Sequence, residues 1–304
     1  MSEIKNRSEI IFMYDIKDAN PNGDPLDENK PRIDEDTMTN LVTDVRLKRT
    51  IRDYLYDFKH QEIFIKETRN ENDTLKTKEE RLDSLNIKTP DELIGKCVDI
   101  RLFGATTAIK KKSITFTGPV QFRIGRSVHP VQMKYVKGTT TMPSEKGKKQ
   151  GTFTENYILP YSLIRFYGII NENAAKITKM TEEDAMLLLD GMWNGTKNLI
   201  SRSKAGQVPR LLLKVNYKED DYHIGDIGDM ILADSEKPLD EVRDISELTL
   251  EIGELMRCLF ANSSKIQDIE YQADGRVIFT ENKERISLQE ALGKTGIKLS
   301  ELSL

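Results

Sequence analysis

Apolar positions recur along this chain with two different periods. Residues 9–16 (EIIFMYDI) are rich in β-forming side chains and stop at turn residues, which predicts a buried first strand. Residues 43–58 change to helical spacing. Leu47, Ile51, Leu55 and Phe58 make one apolar face with Tyr54 beside them. Lys48, Arg49 and Arg52 are expected on the opposite side and Arg46 on the flank, with Thr43 or Asp44 capping the first turn. Further strands are expected over residues 114–124, 157–170 and 207–217, and a short one over 275–281. Thr181, with Asp184 at capping-box spacing, opens a second amphipathic helix through Leu187, Leu188 and Trp193. Residues 248–260 predict another.

The stretches between these elements are long and polar. Residues 17–40 form a loop crowded with Pro, Gly, Asp and Asn, and long ordered loops in compact domains are often functional. Residues 59–90 are dense in Lys and Glu and are expected as exposed helix. Residues 99–105 (DIRLFGA) read as a strand or turn that brings Phe103 and Gly104 together. Residues 127–154 hold Lys134, Lys137, Lys146, Lys148 and Lys149 among glycines and threonines, the composition of a projecting basic hairpin.

Taken in order, strand, helix, strand, strand, helix, strand is the split βαβ unit. The expected class is α+β, a ferredoxin-like or RNA-recognition core in a single elaborated domain over residues 1–304. Insertions are expected at 59–113 and 127–154, with an acidic C-terminal segment and helices (219–304) packed on the core.

Charge sharpens this picture only when it is divided. The net charge is −4, yet residues 219–254 carry thirteen carboxylates against Lys237 and Arg243, a net of −11. The remainder is therefore −4 − (−11) = +7. Local potential governs binding, so the basic body and the acidic segment suit different partners. Between Lys197 and Lys214 there are five basic residues and no acidic one.

Several chemistries find no support. Cys97 and Cys258 offer neither a disulfide framework nor zinc spacing, and His60, His129 and His223 lack metal-ligand spacing. Residues 18–29 (DANPNGDPLDEN) approach a calcium loop, but Asn29 stands where the bidentate Glu belongs. No nucleophile elbow, phosphate loop or dinucleotide fingerprint is present, and the strands lack base-stacking aromatics. No apolar run approaches the ~18 residues of a membrane span. MSEIKNRSE lacks a signal peptide's apolar core, so a cytoplasmic protein without membrane contact, cofactor or metal is expected.

A set of motifs in fixed order carries a resemblance. They are YDIKDANPNGDP (14–25), PRID with VTDVRLKRTIRDYL, DIRLFGA, TGPVQFRIGRSVHPV (117–131), YILPYSLIRFYG (157–168) and SRSKAGQ (201–207). With these the chain resembles the Cas-seven family of the RAMP superfamily, the backbone subunit of type I CRISPR surveillance complexes (Cascade), nearest the type I-B branch. The resemblance implies a hand-like modified RNA-recognition fold, with fingers at 59–113 and a thumb at 127–154. Copies would stack as a filament along the CRISPR RNA.

The partners implied are CRISPR RNA, the target DNA strand paired to it, copies of the chain itself and other Cascade subunits. The RNA-binding residues implied or suspected are Arg46, Lys48, Arg49, Arg52, Phe103, Gly104, Gln121, Arg126, Ser127, Arg202 and Lys204, with Met142 as candidate thumb wedge. No catalytic residue is expected. One rival is a type III-like endonuclease cutting target RNA with Asp24, Asp27, Asp34 or Asp36. The other is a single-stranded RNA binder that does not assemble.

Overall fold

The computed structural model describes residues 2–109, 112–139, 153–218 and 221–304. A ten-stranded sheet organises them. Across it lie Lys298–Glu301, Ile266–Ala273, Val208–Tyr217, Ser8–Ala19, Phe153–Ile170, Gly125–Pro130, Thr39–Val42 and Ile33–Asp34, while Val120–Phe122 and Lys134–Thr139 also pair along Phe153–Ile170. Ser8–Ala19 can occupy the middle because it is apolar on both faces. Alternation sends Ile10, Phe12, Tyr14 and Ile16 into one core and Ile11 and Met13 into the other. The architecture is mixed α and β, in keeping with the α+β class.

Two helices cover the first face. Asp44–Asp57 buries Leu47, Ile51, Tyr54 and Leu55 against Glu182–Lys197, whose capping box of Thr181 and Asp184 is formed. Two glycines set how closely they approach. A Cβ at Gly191 would stand 2.8 Å from Ile51 Cγ2, and one at Gly195 3.0 Å from Tyr54 Cβ. Phe58 leaves the expected apolar face: it caps the helix C-terminus, 56% exposed, and stacks on Tyr54.

The acidic segment closes the second face. Ile227, Ile231, Val242, Ile245, Leu248 and Leu250 are at most 1% exposed and join Leu211, Leu213 and Val215 beneath them. Three of its described carboxylates meet cations, Asp226 with Arg123 (2.5 Å), Asp244 with Arg276 (2.5 Å) and Glu247 with Lys237 (2.7 Å).

One buried carboxylate fastens this layer to the central strand. Glu9, 0% exposed, accepts from the hydroxyls of Tyr167 and Tyr217 and from the backbone N–H groups of Ile224 and Gly225. A buried carboxylate is tolerable because four donors surround it. Glu9→Gln sets an amide NH₂ against that ring of donors, and the expected loss is about 2 kcal/mol. Denaturant unfolding checks it, and equal stability of mutant and wild type would refute the role.

Residues 59–109 and 112–117 build a small body with its own core of Phe64, Leu82, Ile87, Leu93, Ile94, Cys97, Ile100 and Ile109. Several expectations are corrected here. Within 59–90 the helix is only Lys78–Ser84, and DIRLFGA is mostly the helix Val98–Phe103. The run 114–124 is not one strand. Lys112–Thr117 pairs with Gly104–Ile109 in the small body, whereas Val120–Phe122 and Gly125–Pro130 enter the main sheet. The helix expected at 248–260 is preceded by a strand, Thr249–Glu251, and covers Gly253–Ala261. The hairpin's stem is Lys134–Thr139 paired with residues 153–158, while Gly125–Pro130 belongs to the sheet.

Candidate nucleic-acid interface

The opening helix starts where three segments meet. Thr43 caps it, its side-chain oxygen accepting from the Arg46 N–H at 3.3 Å, and Thr43 donates its own N–H and hydroxyl to Asn22 Oδ1 at 2.9 and 3.0 Å. Asn20, at the end of the first strand, donates its N–H to Ser203 O at 2.8 Å. The long loop, the first turn of the helix and the 201–205 loop thus share one corner.

Sorting the cations by partner separates two groups. Lys48 pairs with Asp44 (3.0 Å), Arg49 with Asp53 (2.8 Å), Arg52 with Asp99 (3.0 Å) and Arg126 with Asp34 (2.7 Å). Arg46, Arg202 and Lys204 have no carboxylate at ion-pair distance among the described residues. Arg46 is half-buried; its Nη2 donates to the Thr50 hydroxyl (3.0 Å), and its Nε is buried without a partner. Burial lowers its pKa. Burial also lowers that of Lys204, with the positive charge of Arg46 adding to the effect, so the two cations feel one another. Half-buried like charges without a counter-ion are costly for the free protein. An arriving phosphate relieves both at once.

A cleft of about 440 Å³ runs from this corner between the opening helix and the small body. Arg46, Arg49, Arg52, Lys66, Lys76, Lys78 and Arg81 line it, over a floor of Val45, Phe64 and Ile65, with Glu67 the one carboxylate in its lining. Cations lined along a cleft in this way are chemically suited to phosphate oxygens, contacts that carry no base information. Lys66, Lys76 and Lys78 on the small body are not singled out by the sequence, because residues 59–90 read only as a mixed-charge surface.

The other predicted residues have structural occupations. Arg52 is buried rather than on an open basic face: it is 9% exposed, and its guanidinium lies 4.9 Å from the Phe103 ring centroid. Phe103 is 7% exposed, with Lys48 Nζ 5.8 Å from its centroid. Gly104 has φ +66°, and a Cβ there would stand 2.1 Å from Phe116 O, so the turn requires glycine. Gln121 is exposed and donates to Gly118 O at 2.8 Å. Ser127 is buried with its hydroxyl used twice, donating to His129 O (2.6 Å) and accepting from Asn40 N–H (2.9 Å). Met142 lies outside the described residues.

The loop aspartates are likewise engaged. Asp24 binds Arg32 (2.7 Å) and accepts the Leu26 N–H (3.0 Å), and Asp27 binds Lys30 (2.7 Å). The Arg126 hydrogen bond holds the Asp34 carboxyl below its usual pKa. Asp36 stays exposed, and its backbone N–H donates to Asp34 Oδ1 at 3.2 Å. Among the described residues no three His, Cys, Asp or Glu side chains come together as a metal site. No described helix is long and apolar enough to cross a membrane.

The family model for CRISPR-associated protein Cas7 matches residues 6–253. The chain belongs to the Cas7 family. A CRISPR-associated protein Cas7 from Haloferax volcanii is 30% identical over 316 aligned residues, covering 94% of this chain and 92% of that one. Two solved structures share the fold. A chain of a "CRISPR RNA-guided surveillance complex, pre-nicking" superposes with a TM-score of 0.59 at 13% identity, covering 98% of this chain and 96% of that one. A chain of a "CRISPR RNA-guided surveillance complex" gives 0.55 at 15%, covering 97% and 94%. The matched Cas7 region takes in the opening helix, the small body and the 201–205 loop, and ends at the start of the Gly253–Ala261 helix.

Proposed function

We propose that this Cas7 chain is the non-catalytic backbone subunit of a type I Cascade, of the I-B kind. In this reading copies stack in the cytoplasm along a CRISPR RNA beside other Cascade subunits. They grip its sugar–phosphate chain and leave the bases to pair with a target DNA strand. The observation that carries the reading is the corner of Arg46 and Lys204, two cations without a carboxylate at ion-pair distance among the described residues, from which Arg46 enters the lining of a basic cleft. Phosphate contacts hold any guide sequence, which suits a protein that delegates sequence reading to base pairing.

The sheet order supports the core assignment. Val208–Tyr217, Ser8–Ala19, Phe153–Ile170 and Gly125–Pro130 lie side by side, with a helix after the first and after the third strand in sequence. That order supports reading the core as ferredoxin-like, as in RNA-recognition folds. Unlike a free RNA-recognition sheet, this one has its outer face filled by the acidic layer, so RNA contacts would lie along its edge and on the insertions.

Native mass spectrometry of the chain on guides of increasing length tests the reading. Head-to-tail stacking is open-ended, so the number of copies should rise with RNA length. A fixed closed oligomer on every guide would overturn it, and one copy per RNA would favour the simple binder. In the same samples, complementary target RNA with magnesium should stay intact. Periodic cuts abolished by Asp24→Ala would install the nuclease instead.

A further inference from the structure

The strand Gly125–Pro130 is held to the long strand Phe153–Ile170 over a short stretch. The two pair only at Arg126 opposite Arg165 and Ser127 opposite Ile164. Where that ladder would continue, side chains replace it. His129 Nε2 accepts the Leu163 N–H at 3.2 Å, and the His129 carbonyl accepts from the Ser127 hydroxyl at 2.6 Å. The other ring nitrogen, Nδ1, stands 2.8 Å from Pro130 O. Those two partners require a neutral ring with its proton on Nδ1. The ring is buried and stacks on Tyr161, with centroids 5.6 Å apart. Much hangs on this strand. Thr39–Val42 pairs along its outer side and carries Ile33–Asp34 beyond it. The hairpin stem starts just after it, at Lys134.

We propose that His129 is an acid-sensitive latch on the edge of the sheet. Neutral, it holds Gly125–Pro130 against the long strand. Protonated, it turns a second N–H toward the Leu163 N–H, and two donors cannot share that bond. The strand is then released together with the edge strands outside it and the root of the hairpin. The inference concerns the free chain and does not rest on the proposed RNA-binding role. The surroundings favour the neutral ring. Burial lowers the His129 pKa and Arg243 adds to the effect, while the carbonyls of Pro130 and Leu239 oppose it without cancelling it. Asp15, Arg210 and Asp244 bear on the stacked Tyr161, whose hydroxyl is kept neutral chiefly by burial. Asp240 of the acidic layer is engaged by Gln132 at 2.7 Å, and Asp34 of the edge strand by Arg126. Once released, the ring titrates near its ordinary value of about 6.5; latched, it titrates lower. Opening therefore takes up a proton, so the hold is complete above about pH 6.5 and weakens as pH falls.

Hydrogen exchange of the full chain tests the latch, read by mass spectrometry at about pH 7.5 and about pH 5.5, one unit either side of the free-ring value. After correction for the intrinsic pH dependence of exchange, opening of residues 33–42 and 125–130 should rise by up to about 10-fold at the lower pH. Ser8–Ala19, in the middle of the sheet, should not change. His129→Gln keeps an acceptor for the Leu163 N–H but takes up no proton, so its edge should open equally at both pH values. In ¹³C-histidine-labelled wild type, the His129 ring should titrate below the ordinary histidine value. Exchange of the wild-type edge that ignores pH would overturn the latch, as would an equal rise in His129→Gln. So would a His129 ring that titrates at or above about 6.5, and this measurement decides alone if His129→Gln does not fold.

Discussion

Changing Arg46 and Lys204 together to glutamine should weaken guide-RNA binding by about 100-fold, from two charge-assisted contacts worth roughly 1.5 kcal/mol each. The slope of log affinity against log salt should fall by about 1.4, since single strands release about 0.7 counter-ions per neutralised phosphate. The same change should leave the free protein as stable as before, or more stable. Both side chains are half-buried, each lowered in pKa by burial, and the positive charge of Arg46 bears on Lys204. Removing them relieves a repulsion that Asp53, the carboxylate bearing on Arg46, offsets only in part. Lost binding with retained stability is the signature of a site kept for its ligand.

Lys48→Gln with Arg49→Gln should act more weakly. Those ammonium and guanidinium groups already have Asp44 and Asp53 as partners, and each must give up that pairing to meet a phosphate. Filter binding at several salt concentrations separates the two pairs. If the Arg46 and Lys204 double variant bound within about 3-fold of wild type (less than ~1 kcal/mol), the corner would not be the grip. The cleft lysines on the small body would then be next in line.

What the sequence revealed depended on whether the deciding partner was near in the chain. Leu47, Ile51 and Leu55 identify the opening helix because helical periodicity is local, and the Thr181 capping box is equally local. Arg49 and Arg52 look alike in sequence, yet one meets Asp53 four residues on and the other Asp99, 47 residues away. No periodicity carries that distinction. The strand expected at 114–124 failed at Gly118–Pro119. A Cβ at Gly118 would lie 2.0 Å from the Phe103 carbonyl carbon, so the chain crosses tightly there and passes from the small body into the main sheet.

The acidic segment was legible as charge but not as a layer. Its inward residues, Ile227, Ile231, Val242, Ile245, Leu248 and Leu250, follow neither helical nor strand spacing, because short strands and single 3₁₀ turns carry them. The lone cations at Arg46 and Lys204 were hidden for the opposite reason. Sequence lists charges, but only the fold says which ones lack partners.

Arg52→Gln should behave unlike its neighbour one turn earlier. Its guanidinium and the Asp99 carboxylate are 10% and 0% exposed, and Asp99 also accepts the Phe64 and Ile65 N–H groups at 2.8 and 3.0 Å. That carboxylate holds residues 64–65 against the Val98–Phe103 helix, and Arg52 ties the assembly to the opening helix. Without Arg52 a charge stays buried with only backbone donors around it, which costs about 3–5 kcal/mol. At roughly 2–4 °C per kcal/mol for larger domains, Tm should fall by about 6–20 °C. Arg49→Gln breaks a half-exposed pair and should cost no more than ~0.5 kcal/mol. Replacing Arg52 and Asp99 together by Met and Leu removes both charges and should recover much of the loss, although the two N–H groups are then left without acceptors. Calorimetry on the single and double variants decides the matter. A Tm for Arg52→Gln within ~2 °C of wild type would mean that the small body is held to the opening helix by its apolar contacts and not by this pair, since a loss below ~1 kcal/mol is too small for a broken buried ion pair.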